Sequence, residues 1–517
     1  MTTTITSTTT AAPTTVPLLP AKQNGYLGVT TTPNNKKLGA GFAYGPATYD
    51  IGNRGNMLRY TPGAINGLIS QFNATDGAEW ARIANSPVIS AFQGLAVSNI
   101  DGSVYAVGYA RGSTLNDFGF GVTVSGPNTE DNILIVKYNS MGTTQWARTI
   151  VAGSGRCIYT GVGVGSDGSV YAVGYLYGIL PYDFGNGVIA QSNYTDMGVS
   201  GLSALIVKYD PSGTALWART AGGSQMLSSQ FNAISIDAND FIYVVGTFYN
   251  FSPSTNGTHF LNNDVTLSFF NVQNSGGGLV KYDSAGNTLF AVSHQTPSNV
   301  AYLSVFLDVD AGADGYVYIS GYIGKGAIPY DFGNGVSVVN PSLGSVQILA
   351  MRFNSSGSAF WARSLFSNPG FPSQDVSTAF YGISYGVDGS VYAIGDAVSG
   401  ITRQFAANVS ILTTGSANNG ITLKYDAATG IAQWGRFIPV NSALSNVRNR
   451  GVAAHFDGNI YGAGYSTGSN LDPLGRFSIG PFTGGFAGPA VSVDQGDAVP
   501  IGQPAFLIRS LFRQPSN

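Results

Sequence analysis

Short apolar segments recur along the chain in an alternating pattern, separated by residues that favour turns. In GLAVSNIDGSVYAVGY, residues 94–109, two such segments flank Asp101-Gly102. Alternation with a period of two is typical of a strand with one buried face. Asp-Gly suits the positive φ angles of a tight hairpin turn. The stretch therefore predicts a β-hairpin, whose strands are called A and B.

Strand B of this hairpin occurs in six copies along the chain. Successive copies are 66, 72, 75, 74 and 69 residues apart, and a period of this kind indicates a repeat architecture. Asp-Gly precedes the copy at residues 101, 167, 314, 388 and 457. The copies are anchored on Tyr105, Tyr171, Tyr243, Tyr318, Tyr392 and Tyr461.

A second hairpin, of strands C and D, follows in each repeat. ILIVKYNSMGTTQWAR at 133 matches ALIVKYDPSGTALWAR at 204, with a turn of Asp or Asn followed by small residues. The C–D hairpins lie near 66–83, 133–150, 204–220, 278–293, 348–364 and 421–437, and a last C strand lies near 505–510. All five tryptophans share one place in this unit, which Phe290 takes in the remaining copy: Trp80, Trp146, Trp217, Trp361 and Trp434.

Four short antiparallel strands in about seventy residues cannot bury both faces of their sheet, so neighbouring sheets must stack on them. Radial stacking closes such an array and protects the sheet edges. We therefore predict an all-β, seven-bladed β-propeller over residues 25–517, preceded by an extended Thr-rich N-terminal arm at 1–24. The strand near Tyr26 to Thr30 closes the ring, either as the missing strand D of the last blade or as strand A of the first.

The order of the motifs DGSVYAVGY, DFGNG and ALIVKYDPSGTALWAR resembles the seven-bladed β-propeller repeat (SBBP) family of bacterial extracellular and surface proteins. The resemblance covers roughly residues 38 to 510. It implies a propeller fold and carries no assigned activity. The Thr-rich start and the long insert of the last blade lie outside the family's pattern.

Residues present in every repeat are predicted to have a structural task. An arginine follows each tryptophan by two positions, so both side chains lie on one face of the strand. We expect each guanidinium to pack beside neighbouring rings or to meet an Asp of the next blade. With the tyrosines and tryptophans they form the predicted structural signature: Arg82, Arg148, Arg219, Arg363 and Arg436.

Composition narrows the classes of partner. Only 10% of the residues are charged and the net charge is −3, which argues against a nucleic-acid partner because phosphate binding needs clustered Lys and Arg. No segment reaches eighteen apolar residues, so no membrane span is expected. The start has no basic n-region or apolar core, and we expect no signal peptide. The predicted location is a virion or an extracellular surface.

Motifs that suggest catalysis have simpler interpretations. DFG occurs at 117, 183 and 331, without the other kinase motifs, and is interpreted as a turn after strand B. GVGVG at 161 belongs to strand A, and DVDAGADG at 308 is assigned to the A–B turn rather than to a calcium loop. The three histidines lie in different repeats. We therefore expect no catalytic residues, no cofactor and no metal.

The B–C connections differ between repeats, whereas the A–B and C–D connections are tight turns. Function concentrates in loops that a rigid scaffold positions, and the richest candidates are residues 247–277 and 465–504. We predict a non-enzymatic structural or adhesive surface protein, contacting other proteins or itself through the N-terminal arm and the B–C face. The alternatives are a glycan-binding lectin-like propeller and a polysaccharide-cleaving enzyme.

Overall fold

The computed structural model describes most of the chain between residues 25 and 510. The described ranges are 25–32, 34–44, 49–50, 57–58, 65–73, 78–178, 180–191, 193–194, 201–223, 227–251, 257–269, 274–295, 303–324, 329–340, 345–365, 377–398, 402–412, 418–438, 446–455, 460–467, 477–478, 492–493 and 505–510. The Thr-rich arm predicted at 1–24 lies outside them. Within these ranges the regular structure is strand, and there is no helix, let alone one long and apolar enough to cross a membrane.

Strands A to D of each repeat form one antiparallel sheet in the order A–B–C–D. In sheet 1 the strands are Gly25–Thr31, Lys37–Tyr44, Ile65–Phe72 and Ala78–Ile83. In sheet 2 they are Ser90–Val97, Val104–Arg111, Asp131–Tyr138 and Thr144–Arg148. In sheet 3 they are Cys157–Val164, Val170–Tyr177, Leu202–Tyr209 and Ala215–Thr220.

The later sheets repeat this order. Sheet 4 has Leu227–Ile236, Ile242–Asn250, Asn274–Tyr282 and Thr288–Ser293. Sheet 5 has Ser304–Ala311, Tyr316–Ile323, Gln347–Asn354 and Ala359–Arg363. Sheet 6 has Thr378–Tyr385, Ser390–Val398, Asn418–Asp426 and Ala432–Ile438. Sheet 7 has, among the described residues, Asn446–Ala454, Ile460–Thr467 and Ala505–Ser510. The prediction of an all-β fold built from four-stranded antiparallel sheets is confirmed.

The A strands lie innermost, because each contacts the A strands of the sheets before and after it. The first A strand also contacts strands A and B of sheet 7, which closes the ring. Gly25–Thr31 pairs only with strand B of its own sheet, so it is strand A of sheet 1. The alternative that this strand completes the last sheet as strand D is wrong, since its ladder is with Lys37–Tyr44 of sheet 1 and the described ladders of sheet 7 do not include it.

Every A strand carries a β-bulge at the same place. In sheet 3 the register shifts between Tyr159 and Gly161, so Thr160 is the extra residue. Opposite the bulge lies a glycine of strand B, Gly174, where a Cβ would sit 1.9 Å from the Ile158 carbonyl oxygen. This close approach explains why glycine recurs in the motif VYAVGY. The other bulges lie at Leu27, Gln93, Asn232, Leu307, Tyr381 and Arg450.

The B–C connections are more regular than the sequence indicated. Each carries a small β-hairpin, called the outer hairpin, which contacts strand D of its own sheet in sheets 1 to 6. The outer hairpins are Tyr49–Asp50 with Met57–Leu58, Asn116–Asp117 with Thr123–Val124, Tyr182–Asp183 with Ile189–Ala190, Gly257–Phe260 with Thr266–Phe269, Pro329–Asp331 with Ser337–Val339, Thr402–Ala406 with Val409–Leu412, and Phe477–Ser478 with Ser492–Val493. Two further strands, Asn193–Tyr194 and Gly222–Gly223, join the hairpin of sheet 4.

The two connections singled out from the sequence are therefore only partly loop. In 247–277, strand B runs to Asn250 and strand C begins at Asn274, with an outer hairpin between them. In 465–504, strand B runs to Thr467, and an outer hairpin with strands of two residues each follows. The remaining residues of the second connection lie outside the described ranges.

The core lies between successive sheets rather than at one centre. Tyr105 and Val107 of sheet 2 pack in one cluster with Tyr159 and Val162 of sheet 3, and equivalent clusters fill the later interfaces. Burial of this surface is the main term that favours stacking, and a sheet removed from its neighbours would expose it on both sides.

Candidate functional site

In sheets 2 to 6 the register places three repeated side chains in one row across the sheet. In sheet 3, Tyr171 pairs with Lys208, and Lys208 pairs with Trp217. The Lys208 ammonium lies 5.1 Å from the centre of the Tyr171 ring, and the two aromatic rings are 6.0 Å apart. The same row occurs as Tyr105–Lys137–Trp146, Tyr243–Lys281–Phe290, Tyr318–Arg352–Trp361 and Tyr392–Lys424–Trp434, and Tyr461 pairs with Arg509.

In sheets 2 to 5 the row reaches across to the C–D turn of the next sheet. Trp146 donates its indole N–H to the Pro211 carbonyl at 3.2 Å, and the Arg148 Nε donates to the Gly213 carbonyl at 3.0 Å. The sequence left open whether the arginine meets rings or an Asp. The guanidinium lies 5.2 Å from the Trp146 ring and bonds backbone carbonyls. The same tryptophan-to-turn bond is made by Trp80 to Ser140, Trp217 to Ser284 and Trp361 to Ala427.

Two further arginines make the same bonds, and all of the remaining ones lie over a tryptophan ring. Arg219 and Arg363 donate to the Gly286 and Gly430 carbonyls, and each guanidinium lies over the ring of its own tryptophan. Arg82 lies over Trp80, and Arg436 over Trp434. These contacts hold neighbouring sheets together, so the repeated residues do not converge on one site.

The DFG segments form the turns of outer hairpins. In sheet 3, the Asp183 carboxylate accepts the Gly185 backbone N–H at 2.7 Å, Phe184 is buried, and Asn186 has a positive φ of 55°. Asn186 also donates to the Ala215 carbonyl of strand D at 2.9 Å. Asp117 and Asp331 cap their turns in the same way. These three carboxylates therefore shape the turns in which they lie.

Residues that differ from sheet to sheet collect around the ring axis. The bulge residues form what we call the axial rim: Leu27, Gln93, Thr160, Asn232, Leu307, Tyr381 and Arg450. All seven side chains are partly exposed although strand B covers the A strand from outside. Thr160 donates to the Phe231 carbonyl and Asn232 to the Phe306 carbonyl, so some of them bond the next A strand. Bulges often re-aim side chains beside functional sites.

Four aromatic side chains and one arginine extend the axial rim onto the B–C face of sheets 4 to 7. We call this group the aromatic strip: Tyr249, Phe251, Tyr322, Tyr381 and Arg450. The Tyr249 and Phe251 rings stack with centroids 5.6 Å apart and planes 7° apart, and Phe251 is 46% exposed. Burial raises the pKa of Tyr322, and the neighbouring Tyr249 and Tyr381 raise it further. The Tyr322 phenol thus keeps its proton and can donate a hydrogen bond at neutral pH.

The charge of the strip is balanced internally. The Arg450 guanidinium lies 3.9 Å from the centre of the Tyr381 ring and forms an ion pair with Asp396 at 3.3 Å. Both partners are largely buried, with 17% and 10% of their side chains exposed. This end of the strip therefore presents a stacked, hydrogen-bonding surface that carries no net charge.

Two carboxylates stand at the inner interface of sheets 5 and 6. Asp308 accepts the Ile383 backbone N–H at 2.9 Å, and Asp310 accepts the Tyr385 backbone N–H at 2.7 Å. Burial raises the pKa of Asp308 to about 7, despite its backbone hydrogen bonds, and the pKa of Asp310 is also raised by burial. The positions equivalent to Asp308 are Gly28, Gly94, Gly161, Ala233, Gly382 and Gly451.

Asp308 and Asp310 correct a sequence assignment. DVDAGADG was assigned to the A–B turn, but both aspartates lie in strand A, and the turn is closed by the bond from Gly315 N–H to the Gly312 carbonyl. The bulge lengthens strand A by one residue and sets which positions face the next sheet. Alignment of the repeats could have marked Asp308 as unusual, because the other repeats have glycine or alanine at the same position. Within the described ranges no three His, Cys, Asp or Glu side chains form a group that could hold a metal ion.

The fold and the distribution of side chains define an all-β, propeller-like repeat protein with its variable residues on one face and around the axis. No protein-family model matches the chain. Over 329 residues it is 26% identical to an uncharacterized WD repeat-containing protein of Acanthamoeba polyphaga mimivirus, covering 54% of this chain and 23% of that protein. The chain thus spans less than a quarter of the relative's length.

Two solved structures align with the chain at low similarity. An ulvan lyase from a family of polysaccharide lyases aligns with a TM-score of 0.40 and 8% identity, over 86% of this chain and 93% of the lyase. An acylaminoacyl peptidase aligns with a TM-score of 0.31 and 9% identity, over 87% of this chain and 59% of the peptidase.

Proposed function

We propose that this chain is a seven-bladed β-propeller of the SBBP type that serves as a non-enzymatic component of a virion or another extracellular assembly. The ring of A strands supports the seven-blade count, because the first of the seven contacts the last. Similarity to a mimivirus protein supports a viral setting. The partners are other proteins of the assembly or further copies of this chain.

One observation carries the proposal: strand D of sheets 3 to 5 presents an apolar outer surface. Leu216, Leu289 and Phe360 occupy the same position, just before the tryptophan or Phe290, and are 45%, 45% and 47% exposed. Sheets 1, 2 and 6 carry Glu79, Gln145 and Gln433 there. The group Leu216, Leu289 and Phe360 is called the outer apolar patch.

The outer hairpins of the same sheets add exposed apolar side chains. Ile189, Phe260 and Val339 are each more than two-fifths exposed. Single exposed apolar residues are ordinary, but clusters that span neighbouring elements mark interaction surfaces. Strand D is also the outer edge of its sheet, where another chain can pair or pack. The outer surface of sheets 3 to 5 is therefore the proposed contact with the assembly.

The test replaces the outer apolar patch with the residue that the same fold already tolerates elsewhere. Leu216→Gln, Leu289→Gln and Phe360→Gln together copy sheets 2 and 6, so the folded chain should persist. We expect the triple variant to be lost from purified particles while the wild type is incorporated, as measured by quantitative immunoblotting and immuno-electron microscopy. Gln145→Ala with Gln433→Ala is the matched control and should be incorporated normally.

Two results would contradict this function. Incorporation of the triple variant at the wild-type level would show that the outer apolar patch is not the contact surface. Location of the wild-type protein away from any particle or surface would remove the assembly role itself.

A further inference from the structure

The aromatic strip lies on the B–C face near the axis, whereas the outer apolar patch lies on the outer edge of the ring. The two surfaces differ in chemistry as well as in place. The side chains of the outer apolar patch have no hydrogen-bonding groups. The aromatic strip combines ring faces with the hydroxyls of Tyr249, Tyr322 and Tyr381. The strip can therefore bind a ligand that needs both apolar faces and hydrogen bonds.

We propose that the aromatic strip is a binding site for an uncharged polysaccharide. A pyranose ring presents C–H groups on its faces and hydroxyls at its edge, which complement an aromatic face with phenol groups beside it. The exposed face of Phe251, backed by the parallel Tyr249 ring, offers the first stacking platform. Tyr322 and Tyr381 continue the same row of aromatic side chains onto sheets 5 and 6.

The charges of the strip select against acidic polysaccharides. Arg450 is the cation of the strip, and it is already paired with Asp396 and stacked on Tyr381. Because the Arg450–Asp396 pair carries no net charge, the strip offers a sulfate or uronate group no unbalanced cation. A neutral sugar can contact the guanidinium edge and the rings without disturbing the pair.

The scaffold holds these groups in place before a ligand arrives. Tyr249 and Tyr322 lie at the ends of B strands, and Tyr381 and Arg450 are bulge residues of A strands. Little conformational freedom is lost when such side chains bind, which favours affinity from a small contact area. The residues come from four successive sheets, so the site suits several units of a chain rather than one terminal sugar.

The experiment is affinity electrophoresis of the full chain in gels that contain a single polysaccharide. The probes are uncharged polymers (mixed-linkage β-glucan, mannan, xyloglucan and galactan) and acidic ones (alginate, chondroitin sulfate and heparin). We expect at least one uncharged polymer to retard the wild-type protein and the acidic polymers to leave its mobility unchanged. Products released from the retarding polymer are measured in parallel and are expected to be absent.

Variants connect the binding to the strip. Phe251→Ala should weaken binding about 10-fold, because an aromatic face contributes on the order of one tenfold step in affinity, and Phe251→Trp should retain it. Phe260→Ala is the matched control: Phe260 is a similarly exposed ring in the same B–C connection but lies outside the strip. It should change binding less than twofold. Thermal unfolding of all three variants should match the wild type.

Four results would overturn the site. These are no retardation by any uncharged polymer, retention by acidic polymers alone, equal binding by wild type and Phe251→Ala, and cleavage of the bound polymer. None of these depends on the outer apolar patch. The triple variant of that patch should bind the polysaccharide normally, so failure of the assembly role and failure of the polysaccharide site can be told apart.

Discussion

At the scale of single residues, the glycine of the C–D turn in sheets 2 to 6 is matched to the ring of the preceding sheet. Gly213 has a φ of +83°, and a Cβ there would lie 3.0 Å from the Trp146 indole. The same fit joins Gly142 to Trp80, Gly286 to Trp217 and Gly357 to Phe290. Glycine is therefore required for two reasons: the backbone has a positive φ, and a Cβ would contact the aromatic ring that covers the turn.

The first prediction separates these two needs. Gly213→Ala should lower the free energy of unfolding by about 3 kcal/mol, from strain at a positive φ together with the contact against Trp146. Gly187→Ala is the matched control, because Gly187 has a φ of +75° but open space around its Cβ. It should cost only about 1 kcal/mol. Urea unfolding followed by tryptophan fluorescence measures both, and equal effects would show that the indole contact adds nothing.

The second prediction concerns the sheet that lacks a tryptophan. Phe290 already packs on Gly357, and the Ser355 carbonyl of the same turn accepts a bond from Lys281 at 2.8 Å. Ser355 corresponds to Ser140, the acceptor for Trp80. Phe290→Trp should therefore gain one hydrogen bond and raise the free energy of unfolding by about 1 kcal/mol. A lower unfolding midpoint would mean that sheets 4 and 5 lie too close for an indole.

At the scale of elements, strand A of sheet 5 differs from its counterparts by carrying two carboxylates against the next strand. The backbone N–H groups of Ile383 and Tyr385 satisfy one oxygen of each. Burial still outweighs these bonds for Asp308, which is why its pKa rises to about 7. The ionised carboxylate is thus less favourable in the folded chain than in the unfolded chain.

The pH dependence of stability follows from this raised pKa. The folded state binds the proton of Asp308 more tightly than the unfolded state, whose pKa is near 3.8. The resulting stabilisation is complete below about pH 4 and is lost as the pH rises to about 7. Asp308→Asn should therefore be more stable than the wild type at pH 8 and should flatten the change in stability between pH 5 and 8.

Chemical denaturation at a series of pH values measures this difference. Asp264→Asn is the control, because it makes the same change in charge at an exposed turn residue with a φ of 58° that asparagine tolerates. It should leave the pH profile unchanged. Parallel profiles for Asp308→Asn and the wild type would show that Asp308 does not titrate in the folded chain within this range.

At the scale of the whole molecule, the described strands of sheets 1 and 7 meet by side-by-side packing, with no ladder between them. The backbones of Gly28 and Gly451 meet at the junction of sheets 1 and 7, and His455 contacts the Thr32 carbonyl at 3.0 Å. Lys37 lies 5.2 Å from the Tyr461 ring centre. Closure therefore depends on a contact that has no hydrogen-bonded ladder to support it.

The last prediction tests this junction. A Cβ at Gly451 would lie 3.2 Å from the Leu27 carbonyl oxygen and the Val29 nitrogen, so Gly451→Val should force sheets 1 and 7 apart. Hydrogen exchange, read by mass spectrometry, should become faster in Gly25–Thr31 than in the strands of sheets 3 and 4. Gly462→Ala, where the nearest atom is 4.0 Å away, is the control. Uniformly faster exchange in all sheets would indicate general destabilisation instead.

The sequence by itself determined the hairpins, the four-stranded sheets and the repeated positions of tyrosine, tryptophan and arginine, since alternation and turn residues act over short stretches. It left open the role of the first strand and misplaced Asp308 and Asp310, because a bulge shifts the register by one residue without a strong local signature. It also took the outer hairpins for loops.

Only the tertiary structure brought together the aromatic strip and the outer apolar patch. Residues 249, 322, 381 and 450 lie far apart in the chain and become neighbours because successive sheets stack around an axis. Leu216, Leu289 and Phe360 likewise reach the outside of the ring on three successive sheets because of that stacking. Such sites depend on contacts between sheets, whose geometry is set by packing across the whole ring and not by any one repeat.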